Sequence, residues 1–341
     1  MSEFIVLTRA IHFGAVLWLF GEFVLYAVVA GPALRSVSAH ASTGSRELER
    51  RLIRVAGGCV AMSVASSIAW LLLEAANMSG TPLAVAISGH TLDVVVRETL
   101  FGRIWVVRLA LSLLLSAALW FAWRRQSGRK DAILRIGGTL LAGAYAATLA
   151  WTGHAVADTG ADRFIHLGSD AVHLIAAGAW VGALPGLTSL LKRAGDLTRP
   201  EGFTLAVSAT GRFSTLGMFS VSALVVTGLV NTWYLVGSVA TLLGTDYGRL
   251  LLGKLLLVAM MIALAAINRL VLAPRLATSA PTTIGSPSRR ALAQLRRNTL
   301  LEMAGGIAVV GIVAALGVAM PAVHMLHREG TPSMTSEGHV H

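Results

Sequence analysis

His166, Asp170 and His173 stand at i, i+4 and i+7 of one apolar run, so on a helix they stack along a single face. Imidazole is a common neutral ligand for copper or zinc, and a carboxylate beside it can bind the ion or orient the ring. Upstream, Trp151-Thr-Gly-His154-Ala-Val-Ala-Asp158 ends the preceding apolar run and could close over that face. A further histidine, His12, lies inside the first apolar run. On a helix rising about 1.5 Å per residue, His12 sits roughly 12 Å below Phe4, and His173 roughly 10 Å below His166. Polar groups at such depth are costly and are functional candidates by default. The candidate metal ligands are therefore His12 and His173 as a buried pair, with His154, His166 and Asp170 as a rim. Met320-x3-His324-Met325-x-His327 offers accessory thioether and imidazole donors that suit Cu(I) better than Mg or Ca. That segment reads equally as a metal-capture arm or as a solvated tail. Glu22, about 15 Å inward of His12 on the same helix, could mark an exit path.

The elements that must position these residues are membrane helices. Hydrophobic residues make up 55% of the 341 positions and charged residues 13%, with a mean hydropathy of +0.70, far outside the range of a soluble domain. Eight apolar stretches approach the roughly 20 residues needed to cross about 30 Å of hydrocarbon: about 4–31, 55–76, 101–123, 133–151, 166–191, 212–237, 249–273 and 300–320. Only helices satisfy their backbone groups within such a segment, so the expected fold is an all-α integral membrane protein with eight transmembrane helices. The first segment carries Glu3, His12 and Glu22 and has no basic cluster before it, which fits a retained helix rather than a cleaved signal.

Charge sets the expected orientation. Loops 31–54, 124–135, 192–212 and 274–299 hold nineteen Lys or Arg, whereas the opposite loops hold only Arg97, Arg163 and Arg328. By the positive-inside rule both termini are expected on the periplasmic side. Nine of the ten histidines then fall on or toward that side, with only His40 facing the cytoplasm. The net charge of +11 is thereby accounted for by topological anchors, and nucleic acid is not an expected partner. Nor is a nucleotide. Gly248-Arg-Leu-Leu-Leu-Gly-Lys254 mimics part of a phosphate loop, but Leu255 replaces the required Ser or Thr and the run enters a membrane helix. Cys59 is the only cysteine and lies mid-helix, so there is neither a disulfide framework nor a Cys-x-x-Cys motif.

Two openings repeat. Phe101-Gly-Arg103-x4-Arg108-Leu starts the third segment and Tyr247-Gly-Arg249-x4-Lys254-Leu the seventh, 146 residues later. Ala10-Ile-His12 with Trp18 and Gly21 in the first segment corresponds more loosely to Ala171-Val-His173 with Trp180 and Gly182 in the fifth. Four spans per half leave the copies in the same orientation, which predicts two parallel four-helix repeats about a pseudo-two-fold along the membrane normal. The expected organisation is one transmembrane domain, 1–320, with repeats of about 1–151 and 166–320, followed by a periplasmic His- and Met-containing tail at 321–341. Residues 77–100 are expected to fold onto the bundle from the outer side.

At these residues the chain resembles the CopD family of bacterial copper-resistance inner-membrane proteins. The resemblance rests on Gly153-His154-Ala155, on Asp170-x2-His173-x6-Trp180-Val-Gly182, on Arg212-Phe213-Ser214, on Tyr247-Gly-Arg-Leu-Leu-Leu-Gly-Lys254, and on Glu302 with Pro321. It implies a multi-pass protein that works with periplasmic copper carriers of the CopC type and moves copper, as Cu(I) or Cu(II), inward. It points most directly to His154 and His173, with His12 a less distinctive match. The expected route leads from His154, His166 and the tail to a His12/His173 site and on between the two halves. No enzymatic activity is expected on that reading. CopD-like proteins are also distantly similar to the HemJ type of protoporphyrinogen oxidase, and two helix-borne histidines across a bundle can equally ligate haem b. A haem-bearing electron-transfer protein or oxidase is thus an alternative, as is a copper-delivery protein that binds at the outer face without translocation.

Overall fold

The computed structural model describes residues 1–37, 41–87, 89–124, 131–153, 160–194, 200–236, 239–278 and 287–319. His154, Asp158 and the tail donors Met320, His324, Met325 and His327 lie outside the described residues, as does His40. Among the described residues the chain is helical, without strands.

Seven helical segments are long and apolar enough to cross a membrane. The first is α1 (Ser2–Arg35), which passes through a π-helical stretch at Leu25–Ala30, and the second lies within α2 (Ala41–Ser79). Two short helices follow, α3 (Leu83–Ala86) and α4 (Gly89–Glu98). They fold back onto the bundle as expected: Leu92, Val95 and Val96 pack against Leu71, Ala75, Phe101 and Trp105. His90 is exposed on α4. Next come α5 (Leu100–Arg124) and α6 (Asp131–Thr148). The eighth expected crossing falls on α6, whose 18 residues rise about 27 Å before a 3-10 turn at Leu149–Thr152. The second half comprises α7 (Gly160–Trp180) running into α8 (Leu184–Arg193), then α9 (Pro200–Val236), α10 (Val239–Gly244), α11 (Asp246–Thr278) and α12 (Pro287–Leu316).

Helices α1, α2, α5 and α6 pack in a closed ring, each against the next. The second group pairs α7 with α9 and α11 with α12, while α8 lies against α12. The groups meet where α1 touches α7 and α12, and where α6 touches α7. At the first of these crossings a methyl on Gly21 would fall on the Gly182 backbone, and one on Gly182 would fall on the Leu17 carbonyl. Any larger side chain would force α1 and α7 apart.

The repeated openings have the same local structure. Thr99 Oγ1 accepts from the Gly102 amide and Thr245 Oγ1 from the Gly248 amide, both at 3.0 Å, satisfying a helix-terminal donor in each. In both copies the glycine abuts a carbonyl of the preceding short helix, at Val95 and Leu242.

Candidate metal-handling site

Helix α7 runs inward from a polar start, and its one-sided pattern of His166, Asp170 and His173 turns toward the interior. All three line a cavity of about 160 Å³ between α1, α7, α9, α11 and α12, with Leu149 and Gly153 from the turn after α6. Arg9, Asn231 and Lys254 line it as well. Asn231 Nδ2 donates to Asp170 Oδ1 at 3.3 Å, and Lys254 lies close enough to act on the same carboxylate. His166 is buried and stacks on Tyr234, with ring centroids 4.8 Å apart.

The hydrogen bonds of His173 settle its tautomer. Its Nδ1 is 2.8 Å from Thr227 Oγ1, and that hydroxyl already donates to the Ala223 carbonyl at 2.6 Å. The hydroxyl therefore accepts, Nδ1 carries the proton, and Nε2 keeps its lone pair for a ligand. A fixed partner on the far nitrogen is the usual support of a metal-binding imidazole. Sequence reasoning missed Thr227 and Asn231. Their signal is spacing: they stand on the α9 face that meets α7, one turn apart.

His12 is held in the same manner but elsewhere. It is fully buried, its Nδ1 donates to the Ser63 carbonyl at 3.1 Å, and Ser66 Oγ lies at 3.2 Å. Around it stand Trp70, Tyr145, Arg9 and Arg108. Trp70 sits under both guanidinium groups, at 4.9 Å from Arg9 and 5.6 Å from Arg108. Arg108 donates to the Thr148 side chain and carbonyl at 3.1 and 2.7 Å. His12 does not line the cavity that His173 lines. The expected convergence of the two histidines on one site is thus not among the arrangements the structure brings together. Nor, among the described residues, do three His, Cys, Asp or Glu side chains close into a metal cluster; His166, Asp170 and His173 are strung along the cavity wall. Glu22 is buried and pairs with Arg51 at 3.7 Å, and it does not line the cavity.

The fold and this cavity define a class: a multi-pass helical membrane protein with a cavity among its transmembrane helices into which a few polar side chains project. The particular family follows from comparison with known proteins. Residues 1–164 match the family model of the copper resistance protein D-like N-terminal domain, and residues 207–316 that of copper resistance protein D. The chain is 32% identical to copper resistance protein D of Pseudomonas syringae pv. tomato over 75% of this chain and 79% of that protein. It is 30% identical to inner membrane protein YebZ of Escherichia coli K12, over 92% of this chain and 97% of the relative. It is also 29% identical to copper transport protein CutJ of Bacillus subtilis 168, over 81% of this chain and 47% of the relative. No solved structure matches significantly. The chain belongs to the copper resistance protein D family.

Proposed function

We propose that this protein binds copper in the α7 cavity and moves it across the bacterial inner membrane from periplasm toward cytoplasm, as part of copper homeostasis. The observation that carries the reading is the oriented imidazole of His173, its Nε2 left unprotonated beside Asp170 and His166 in an intramembrane cavity. Relatives named for copper resistance and copper transport supply the metal. A periplasmic carrier of the CopC type delivers the ion, and His154 and the tail donors His324, His327, Met320 and Met325 serve as its receiving residues. The chain acts as a permease without chemistry of its own, and inward movement of a cation gains about 2.3 kcal/mol per charge per 100 mV. Two parallel repeats with both termini periplasmic form the frame; the identical capping of Gly102 and Gly248 and the contact of Gly21 with Gly182 support that reading.

The test is His173→Ala, read by copper bound to the purified protein and by cellular copper accumulation. Both fall if the proposal holds, and unchanged values for both refute it. A Soret band lost in the same variant would replace copper with haem b. Copper bound without flux in reconstituted vesicles would reduce the protein to delivery at the outer face.

A further inference from the structure

The second half holds another cavity, of about 230 Å³, that the function proposed above leaves unused. The α7–α8 segment, α9, α11 and α12 line both cavities at different heights, and α1 lines only the first. On α12 the first takes Gly306 to Gly317 and the second Leu295 to Glu302. On α11 the first takes Tyr247 and Lys254 and the second Ile262 to Arg269, while on α9 Asn231 and Leu235 stand against Thr210 to Ser222. The α7–α8 segment follows suit, with His166 to Val181 along the first and Trp180 to Leu191 along the second. Each helix runs through the two sets in the sense its direction requires, so the cavities are stacked along the helix axes. Gly306 and Glu302, one turn apart on α12, are separated by about 6 Å of rise.

A single apolar cluster fills the boundary. Trp180, Leu224 and Met261 are buried together there, with Val181 packed on them. The cluster rests on the bare stretch of α12: a methyl on Gly305 would stand 3.0 Å from Met261 Cγ and 3.1 Å from its sulfur, and one on Gly306 would strike Val181. Narrow apolar constrictions between wet chambers act as gates by excluding water.

Beyond the boundary the second cavity is lined by a buried carboxylate. Glu302 is 2% exposed, and its Oε1 accepts from Asn268 Nδ2 at 2.7 Å; Asn268 Oδ1 in turn accepts from Asn298 at 2.8 Å. Among the described residues no Lys, Arg or His stands within ion-pair distance of it. The neighbouring Arg269 donates instead to Ser214, at 2.9 and 3.0 Å. Thr210 Oγ1, also on this cavity, is buried without a partner. A carboxylate held this deep by uncharged donors, the Asn268 amide and the Trp180 indole, is a site for a cation.

We propose a continuous path along α7, α9, α11 and α12: the His173 cavity, a gate of Trp180, Val181, Leu224 and Met261, and a receiving cation site at Glu302. The path starts where the second half meets α1 of the first and ends among helices of the second half. Its cargo rests on the function proposed above, for which Met261 supplies a thioether of the kind Cu(I) favours at the gate.

Two measurements test it. In a Cys59→Ser background, Val313→Cys on the first cavity and Thr299→Cys on the second are exposed to a membrane-impermeant thiol reagent in vesicles of either orientation. Each cysteine is expected to react from one face only, and the two from opposite faces; reaction of both from the same face, or of neither, overturns the stacked path. In proteoliposomes loaded with Cu(I), Glu302→Gln and Met261→Leu are each expected to cut flux at least tenfold. Unchanged flux in both also overturns the path. Wild-type protein that binds no copper would defeat the preceding reading instead, and the labelling, which does not depend on the cargo, would then decide the path.

Discussion

The histidine of the first half and that of the second are held alike. Each places Nδ1 against a hydroxyl 54 residues downstream, Ser66 for His12 and Thr227 for His173. Each has a basic residue from the repeated helix opening nearby, Arg108 and Lys254. The surroundings differ. Shifted by the spacing of the two histidines, Arg9 corresponds to Asp170 and Trp70 to Asn231. In the first half two guanidinium groups pack on an indole and seal the histidine; in the second a carboxylate and an amide line an accessible cavity. The same scaffold thus carries a sealed histidine and one that meets a cavity, and the difference lies in a few side chains rather than in the helices.

The largest effect that would sharpen this contrast is on stability. Arg108→Ala removes a fully buried cation together with its bonds to Thr148, at a cost of about 3 kcal/mol from the cavity and the lost charged hydrogen bonds. Lys254→Ala, at the half-buried equivalent, is expected to cost less than half as much. Thermal melts in detergent compare the two, and equal losses would break the distinction. Copper affinity should show the reverse. His173→Ala is expected to weaken binding on the order of 100-fold, about 2.7 kcal/mol, whereas His12→Ala leaves affinity within about twofold; titration of the purified variants with a competing chelator reads both. If His12→Ala matched His173→Ala, the two centres would have to be one.

Smaller changes probe what orients the ligand. Thr227→Val keeps the shape but removes the acceptor for Nδ1–H, and a loss of about tenfold in copper affinity is expected. Ser66→Ala in the first half should leave affinity untouched. The smallest effect belongs to Tyr234→Leu, which removes the stacking partner of His166, worth about 1 kcal/mol; a wild-type affinity would place His166 outside the binding set.

Much of this was legible in the chain. The i, i+4, i+7 spacing brought His166, Asp170 and His173 to one wall because helical periodicity alone sets their face. The shared Gly-Arg openings fall on α5 and α11, and the structure caps both alike through Thr99 and Thr245. His12 and His173 both lie well inside their helices. Depth does not set direction, however. His12 turns toward α2 and α6 of its own half, and only packing decides that. The partners Thr227 and Asn231 were hidden for a similar reason, because a hydroxyl or amide on an apolar helix announces no role until another helix is laid against it. Glu22 illustrates the same limit, since its pairing with Arg51 on α2 is visible only once the two helices are packed.

The amino-acid sequence by itself determined that the protein is a bundle of membrane helices, that two of its helices open alike, and that α7 carries a polar face. These are properties of composition and of local period, fixed by the cost of unpaired backbone in lipid and by the turn of the helix. The tertiary structure alone decided which histidine is sealed and which meets a cavity, and that Glu302 lines a second cavity. Those facts depend on which helix faces which, a choice made by close packing at Gly21 and Gly182 and at Gly305 and Gly306, where the absence of side chains lets neighbouring segments come within contact.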